Sequence, residues 1–239
     1  MILGILQARM SSTRLPGKVL MPLAGVPMVL RQIERLRRAR RLDRLVVATS
    51  TESSDDPLVT ALHAADVAVY RGPLDNVLAR FIGALDANPA DHVVRLTADC
   101  PLADADVLDA AITLHLEQGA DYTSNTPETF AFPKGLDVEV ITASVLRQAA
   151  IEAASPEDYE HVTWGIWSHP DRWKIAWMKS VKADDGDIRW TVDTPDDYAF
   201  VVAIYDALYV TRPGFSTCDI QALVSARPDL ASFGGHRRI

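Results

Sequence analysis

The stretch MILGILQARMSSTRLPGK, residues 1–18, decides the fold. Residues 2–8 are nearly all apolar, and such a short unbroken run is typical of a strand buried on both faces of a parallel sheet. A loop with three cations, Arg9, Arg14 and Lys18, follows this strand directly. Because open α/β sheets bind ligands at the carboxyl ends of their strands, the stretch predicts both the architecture and the position of the site.

Apolar runs and helical periodicities alternate through the first half of the chain. Strands are predicted at 45–48, 67–70 and 92–96, and helices at 27–40, 56–65, 77–87 and 104–117. Strands that alternate with helices form βαβ units with right-handed connections. We therefore expect an α/β fold with a mainly parallel central sheet and helices on both faces.

The second half of the chain is less regular. Strands are predicted at 136–141, at 172–178 as a candidate antiparallel strand, and at 188–192. Helices are predicted at 143–154, 156–168 and 195–209, and the charges around Gly186 favour a surface loop at 182–187. Since there is no repeat and no clear linker, we expect one domain, 1–239, decorated by its middle stretch.

Composition excludes several classes of protein. The net charge of −8 argues against broad nucleic-acid binding, which needs a basic face. The two cysteines, Cys100 and Cys218, form neither a CxxC zinc motif nor a disulfide framework. The N-terminal apolar run lacks a basic segment before it, so it is not a signal peptide, and no apolar run is long enough to span a membrane. We expect a cytoplasmic protein with no nucleic-acid or membrane partner.

The loop after the first strand has the chemistry of a phosphate site. Phosphates are bound by N–H and hydroxyl donors surrounded by cations, and the loop supplies three hydroxyls besides its cations. Gly17 allows a tight turn or a close approach to a ligand. A Walker A motif needs glycine where Ser12 stands and Ser or Thr where Val19 stands, so a P-loop NTPase is not supported. The alternative is a solvated basic loop.

Two aspartates follow predicted strands. Asp99 lies just past 92–96 and Asp193 just past 188–192, so both carboxylates can converge at one sheet edge. Mg²⁺ is typically held by a few carboxylates together with phosphate oxygens and water, so two converging aspartates are candidate ligands. The alternatives are a turn-forming Asp99 and a helix cap at Asp193 or Thr194.

Three further features are open to a structural or a functional interpretation. Asp75 is a candidate cap for the helix that carries Arg80. Asp137 and Glu139 share one face of a strand, since residues i and i+2 point the same way. His161 is either a structural histidine or a contact to a small-molecule acceptor or a partner subunit.

Five blocks, in order, resemble the spore-coat polysaccharide cytidylyltransferase-like family. The blocks are QARMSSTRLPGKVL, RGPLDNVLAR, RLTADCPL, KGLDVEV and RWTVDTPDDY, and a short EHVT match lies at 160–163. The first block also resembles, more distantly, the R-x-x-S-x-R-x-P-x-K loop of the CMP-sugar-acid synthetases at all five positions. Two residues depart from the family pattern, namely Asn76, where Asp is usual, and Ala98, where Gly is usual.

The resemblance implies a GT-A-like, Rossmann-type nucleotidyltransferase fold and a Mg²⁺-dependent enzyme. Such an enzyme transfers CMP from CTP to a sugar or sugar-acid acceptor and releases pyrophosphate, in surface polysaccharide or glycoconjugate biosynthesis. It also implies a homodimer, with residues 125–190 contributing an acceptor-binding and dimerisation subregion. The residues alone identify neither the acceptor nor CTP over UTP.

The family's residue roles transfer onto matching positions. The resemblance implies catalytic roles for Arg9, Lys18 and Asp99, and metal binding by Asp99 and Asp193. The implied nucleotide-binding residues are Gln7, Ala8, Arg9, Ser12, Arg14, Gly17, Lys18, Asn76, Arg80, Thr97 and Asp99. The implied acceptor-binding residues are Lys134, Asp137, Glu139 and His161.

Two other functions are compatible with this fold class. A glycosyltransferase that uses a nucleotide sugar would need a D-x-D motif after a strand, and Asp104-Ala105-Asp106 has that spelling but lies at a predicted helix start. A non-catalytic nucleotide-binding protein is the second alternative, and the intact Asp99, Asp193 and Lys18 argue against it.

Overall fold

The computed structural model describes residues 1–126, 132–180 and 187–239. Its strands, in chain order, are β1 Ile2–Gln7, β2 Pro22–Leu23, β3 Val26–Pro27, β4 Arg44–Ser50, β5 Ala68–Gly72, β6 His92–Thr97, β7 Tyr122–Ser124, β8 Glu139–Thr142 and β9 Ile175–Trp177. Strands β2 and β3 form a separate hairpin, and the other seven form one sheet.

The helices follow in the same way. They are α1 Met28–Leu36, α2 Asp56–Ala64, α3 Val77–Ala87, α4 Ala105–Gln118, α5 Ala143–Glu152, α6 Pro156–His161, α7 Trp164–Trp167, α8 Pro195–Leu208, α9 Thr217–Ala226 and α10 Pro228–Ala231. None of these described helices is both long and apolar enough to cross a membrane.

The central sheet is mixed but mostly parallel, as predicted. The strand order is β5-β4-β1-β6-β8-β7-β9. Strand β8 is antiparallel to both neighbours, β6 and β7, whereas every other pair is parallel. In register, Gln7 pairs with Ala48 on one side and Thr97 on the other. The loops that follow β1 and β6 therefore leave the sheet at the same level, and β4 continues past that level to Ser50.

Strand β1 is buried from both sides, which explains its unbroken apolar run. Leu3 and Ile5 pack in one core with residues of α3 and α5. Ile2 and Leu6 point to the other face and pack in a core with residues of α1, α2 and α4. Because successive side chains of a strand alternate between faces, a strand covered on both faces needs an apolar residue at every position.

A third apolar cluster forms around α8. Trp190, Phe200 and Ile204 are fully buried in it, together with residues of α9. The cluster holds the segment before α8 against the loop after β6, where the Val192 amide donates to the Asp99 carbonyl at 2.8 Å. The two chain segments that carry Asp99 and Asp193 are thus joined through the main chain.

The structure corrects some predicted elements. The predicted strand at 188–192 is wrong, since the segment makes only one isolated parallel bridge, between Arg189 and Lys134. The predicted helix at 156–168 is broken into α6 and α7 at Val162, whose φ is 56°. Strand β9 pairs with β7 in parallel, not antiparallel. Of the predicted loop 182–187, all but Asp187 lies outside the described residues.

Candidate active site

A cleft of about 710 Å³ opens at the carboxyl ends of β1 and β6. Its wall is formed by parts of the loop after β1, the start of α3 with the residues before it, the end of β6, helix α6, and Asp193. The cleft therefore lies where the sequence predicts a ligand site, at the carboxyl edge of the parallel strands.

The loop after β1 has a defined shape. The Met10 carbonyl accepts from both the Ser12 and the Gly17 amides at 2.9 Å, which closes the loop on itself. Gly17 has a φ of 70°, in the left-handed region that glycine adopts without steric cost. The buried Asp55 carboxylate anchors the loop by accepting from the Met10 amide at 2.7 Å. Arg9 is left exposed in the cleft wall.

Lys18 joins the two predicted metal carboxylates. Its side chain is almost buried, and Nζ donates to the Val192 carbonyl at 2.6 Å and to Asp193 Oδ1 at 3.1 Å. The same Nζ lies 3.9 Å from Asp99 Oδ2. Since one ammonium is in reach of both carboxylates, Asp99 and Asp193 converge although 94 positions separate them in the sequence.

Asp193 is surrounded by cations. Besides Lys18, Arg14 Nη2 lies 3.1 Å from its Oδ1, and Arg189 pairs with its Oδ2. Burial acts to raise the pKa of Asp193, but the charges and hydrogen bonds of Lys18 and Arg189, with the charge of Arg14, hold it below its ordinary value. Asp193 is therefore ionised at neutral pH and ready to pair with cations.

Asp99 is the more open of the two carboxylates. Its Oδ1 accepts from Thr97 Oγ1 at 2.6 Å, and its side chain is 30% exposed. Within the described residues, no group of three or more His, Cys, Asp or Glu side chains could hold a metal ion by itself. The donor set fits Mg²⁺, which is typically held by one or two carboxylates, substrate phosphates and waters, and it does not fit an all-protein cage.

The segment before α3 contributes a buried arginine. Arg80 is 2% exposed, and its Nη1 donates to the Pro73 and Leu74 carbonyls at 2.7 and 2.8 Å. Its buried Nε has no hydrogen-bond partner among the described residues. Because Arg80 also lines the cleft, it is an unsatisfied donor close to where a ligand would lie.

The helix cap next to Arg80 differs from the prediction. Asn76, and not Asp75, caps α3 by accepting from the Ala79 amide at 2.8 Å. Asp75 instead lines the cleft, whereas Asn76 does not.

Glu139 supports another cleft residue. Its carboxylate pairs with Arg95 and accepts from the Tyr122 hydroxyl, at 2.9 Å, and from the Thr163 hydroxyl. Arg95 lines the cleft and Glu139 does not. The carboxylate therefore fixes an arginine that the sequence predictions passed over.

The other predicted acceptor residues are spread out. His161 lines the cleft beside Tyr159 and Glu160 of α6. Asp137 lies outside the cleft wall. Burial, followed by the charge of Asp99, raises the pKa of its carboxyl to about 6. Lys134 is exposed outside the cleft wall, where its main chain pairs with Ile188 and Trp190.

The D-x-D sequence lies outside the cleft. Asp104 caps α4 by accepting from the Asp106 amide at 2.9 Å, and its other oxygen accepts from the Thr217 amide and hydroxyl at 2.9 and 2.6 Å. Asp106 is exposed and lies 3.7 Å from Arg40. Both aspartates are explained by their positions at a helix start.

The cleft wall collects most of the predicted residues. It contains Gln7, Ala8, Arg9, Ser12, Arg14, Lys18, Arg80, Thr97, Asp99, His161 and Asp193. It does not contain Gly17, Asn76, Lys134, Asp137 or Glu139. The sequence predictions missed Thr13, Asp75, Arg95, Tyr159 and Glu160, although Arg95 opens the block that contains Asp99 and Glu160 precedes His161 in its motif.

Comparison with known proteins reveals a family match. A cytidylyltransferase family model matches residues 3–149. The spore coat polysaccharide biosynthesis protein SpsF of Bacillus subtilis is 35% identical over an alignment length of 237, and the alignment covers 97% of each chain.

Solved structures show the same architecture. A cytidylyltransferase from Leptospira borgpetersenii superposes with a TM-score of 0.90 at 28% identity, covering 96% of this chain and 95% of that one. A CMP:2-keto-3-deoxy-manno-octonic acid synthetase complexed with CTP has a TM-score of 0.66 at 16% identity, covering 86% and 98%. The second likeness concerns the fold alone.

Proposed function

Since this chain belongs to the cytidylyltransferase family, we propose that it transfers CMP from CTP to a sugar or sugar-acid acceptor and releases pyrophosphate. The acceptor oxygen attacks the α-phosphorus, the new O–P bond forms, and the bond from that phosphorus to the bridging oxygen of pyrophosphate breaks. For a 2-keto sugar acid, the attacking oxygen is the anomeric hydroxyl.

The convergence of charge on one cleft supports this proposal. Lys18 reaches both Asp193 and Asp99, and Arg9 and Arg14 stand exposed in the same wall. Such an arrangement suits a polyphosphate, whose oxygens need cations around them and whose metal ion needs carboxylates. Phosphoryl-type transfer gains mainly from positioning and charge neutralisation, and this cleft offers both.

The proposed phosphate roles belong to the loop after β1. Arg9, Arg14 and Lys18 hold the triphosphate and offset the negative charge that grows on the leaving pyrophosphate. Lys18 is held rigidly, because its ammonium is bound to the Val192 carbonyl and to Asp193. The backbone turns at Gly17 directly before Lys18, which lies nearly buried in the cleft wall, and Ser12 and Thr13 line the same wall.

Mg²⁺ is the proposed cofactor, held by Asp99 and Asp193 together with the substrate. When bound, it would neutralise the phosphate oxygens and acidify the attacking hydroxyl. Lys18 Nζ lies 3.1 Å from Asp193 Oδ1 and 3.9 Å from Asp99 Oδ2, which supports a site shared by the two carboxylates.

The remaining walls are proposed to bind the base and the acceptor. Arg80 lines the cleft, and its buried Nε has no hydrogen-bond partner among the described residues, which supports a role for this residue beside the base. Arg95 and His161 line the cleft, which supports a proposed role for both in acceptor binding. We further propose a cytoplasmic homodimer in surface polysaccharide or glycoconjugate biosynthesis, folded as one domain with residues 125–190 as its acceptor-binding and dimerisation subregion.

A screen of the four nucleoside triphosphates against pooled sugar acids tests the proposal. Pyrophosphate release is measured with Mg²⁺, with EDTA and without acceptor. We expect release with CTP that needs both the pool and Mg²⁺. CTP binding without turnover over a broad pool would favour a non-catalytic protein. No pyrophosphate release from any triphosphate, together with release of a nucleoside phosphate from a nucleotide sugar, would favour a glycosyltransferase.

A further inference from the structure

Arg238 is buried to an extent that is rare for arginine. Its exposed fraction is 0%, and its guanidinium stacks 4.7 Å from the Phe200 ring centre. Each of its nitrogens has a partner, since Nε donates to the Phe233 carbonyl at 3.0 Å, Nη1 to the Arg189 carbonyl at 2.6 Å, and Nη2 to Asp197 Oδ1 at 2.8 Å. The side chain is therefore held in one orientation.

Asp197, the partner of Arg238, is fully buried as well. Its Oδ2 accepts from the amides of Asp193 and Thr194 at 3.1 and 3.0 Å, and from the Thr194 hydroxyl at 2.9 Å. Its Oδ1 faces Arg238 and lies 3.4 Å from Arg189 Nε. One carboxylate thus holds the main chain of Asp193 at the start of α8.

Arg189 closes the network from the other side. Its guanidinium pairs with Asp193 Oδ2 and lies beside Asp197 Oδ1. Its own carbonyl accepts from Arg238, and its amide donates to the carbonyl of Arg237. The main chain of Asp193 and its Oδ2 are consequently held by Asp197 and Arg189, and both of these residues bind Arg238.

We infer that Arg238 is a positioning residue for Asp193, acting through Asp197 and Arg189, and that it sets the affinity of the cleft for the divalent cation. The functional part of this inference rests on the proposed function. Without the Arg238 guanidinium, the buried Asp197 carboxylate would lose its hydrogen-bonded cation. It would then turn toward Arg189 and draw that guanidinium away from Asp193. Arg238 itself does not line the cleft, so it contacts neither substrate nor metal.

Two variants and a control test the inference. Arg238→Lys keeps the charge but loses the planar fork that reaches two carbonyls and a carboxylate. Arg238→Met removes the charge. Arg227→Met is the control, because Arg227 also pairs with an aspartate, Asp229, in the same part of the chain, but on the surface. Circular dichroism establishes which variants are folded. If Arg238→Met does not fold, the measurements on Arg238→Lys decide the test.

The first readout is Mn²⁺ binding in the presence of CTP. Binding is measured as the loss of the free-ion signal in electron paramagnetic resonance. We expect Mn²⁺ affinity to fall by about 10-fold in Arg238→Lys, as is typical when a group that orients a metal ligand is changed. CTP affinity in EDTA should stay within about twofold, and Arg227→Met should match the wild type. Unchanged Mn²⁺ affinity, or equal losses with and without metal, would overturn the inference.

The second readout is independent of any ligand. Hydrogen exchange of peptides that cover 187–200 should be faster in Arg238→Lys, because the Asp193 and Thr194 amides lose a fixed acceptor. Exchange around Asp99 should not change. If wild-type protein failed to bind CTP with metal, the proposed function would fail, and unaltered exchange at 187–200 would separately refute the positioning role.

Discussion

At the scale of single residues, Lys18 is the point where the two halves of the proposed site meet. Its ammonium touches Asp193 and lies 3.9 Å from Asp99, and its exposed fraction is only 9%. Burying an ammonium is costly unless it is paired, and here the two aspartates and the Val192 carbonyl supply its partners. Removing Lys18, Asp99 or Asp193 therefore leaves the remaining two without one of their opposite or neighbouring charges.

Asp99→Ala should abolish Mg²⁺-dependent turnover and leave the fold intact. The carboxylate is partly exposed, and Thr97 is its main hydrogen-bond partner, so stability should change little. We expect pyrophosphate release to fall by at least about 100-fold, the size of effect seen when a group that stabilises developing charge is lost.

Asp106→Ala is the matched control for Asp99→Ala. Asp106 is an exposed aspartate outside the cleft and belongs to the D-x-D sequence. Its replacement should leave turnover within about twofold, since surface substitutions away from a site have small effects. Near-normal activity of Asp99→Ala, or loss of activity in Asp106→Ala, would refute the assignment of the metal carboxylates.

Individual residues also show what sequence patterns can and cannot predict. Arg9, Lys18, Asp99 and Asp193 were predictable, because each stands at a predicted strand end or in a motif. The pairing of Arg95 with Glu139 was not, since it depends on β6 and β8 being antiparallel neighbours. Pairing of distant strands is a tertiary property that periodicity in one segment does not contain.

At the scale of elements, the loop after β1 combines a fixed backbone with exposed charges. Hydrogen bonds to the Met10 carbonyl and the Asp55 carboxylate fix its backbone, whereas Arg9 and Arg14 are exposed. The single left-handed residue, Gly17, directly precedes Lys18. The loop conformation therefore decides where the buried ammonium lies.

Gly17→Ala should weaken catalysis more than it weakens the fold. A Cβ there would meet only Met10 Cε at 3.5 Å, so the cost is the left-handed backbone itself, about 1 kcal/mol. Relief of that strain would shift Lys18, and we expect kcat/KM for CTP to fall by about 10-fold or more.

Gly25→Ala provides the control for backbone strain. Gly25 has a φ of 77° with no atom within 4 Å of a new Cβ, and it does not line the cleft. Gly25→Ala should lose about as much stability as Gly17→Ala in thermal unfolding, and it should keep the kcat/KM of the wild type. Equal kinetic losses in both variants would show that general strain, and not the position of Lys18, is responsible.

Elements were predicted well where the local pattern is strong. Helix α3 was predicted at its observed bounds, 77–87, because its apolar face is clear and Asn88 ends it. Strand β7 was missed because it has only three residues, and the break at Val162 was missed because a valine with positive φ has no sequence signal. The segment 188–192 resembles a strand because apolar and polar residues alternate in it, but its apolar side chains pack against α8 instead of in a sheet.

At the scale of the whole molecule, the candidate site lies at the carboxyl ends of β1 and β6, and a different feature lies at the opposite end of β6. The amino-terminal edge of β6 carries a histidine pair, in which His92 Nδ1 lies 3.1 Å from His115 Nε2. His115 is 1% exposed, and its Nδ1 lies 3.0 Å from Thr123 Oγ1. Burial, followed by the charge of His92, lowers the pKa of His115 from 6.5 to about 4.

The histidine pair should make the fold sensitive to acid. The unfolded chain binds a proton at His115 near pH 6.5, whereas the folded chain binds it only near pH 4, so stability is full above pH 6.5 and is lost as pH falls toward 4. We expect His115→Gln to remove about 2.5 kcal/mol of the decline in unfolding free energy between pH 7 and 4.5.

Urea unfolding at the two pH values measures this decline, with the exposed His63→Gln as control. His63→Gln should keep the wild-type pH dependence. An unaltered decline in His115→Gln would mean that the buried histidine is not the group responsible.

In the reaction proposed for the cleft, the α-phosphate of CTP moves to the acceptor. The most direct test follows CTP labelled with ³²P at either the α- or the γ-position, in the presence of an acceptor found by the screen. We predict that the α-label appears in a conjugate with the acceptor and that the γ-label appears only in pyrophosphate. Transfer of the γ-label to the acceptor, or release of both labels without a conjugate, would contradict the proposed reaction.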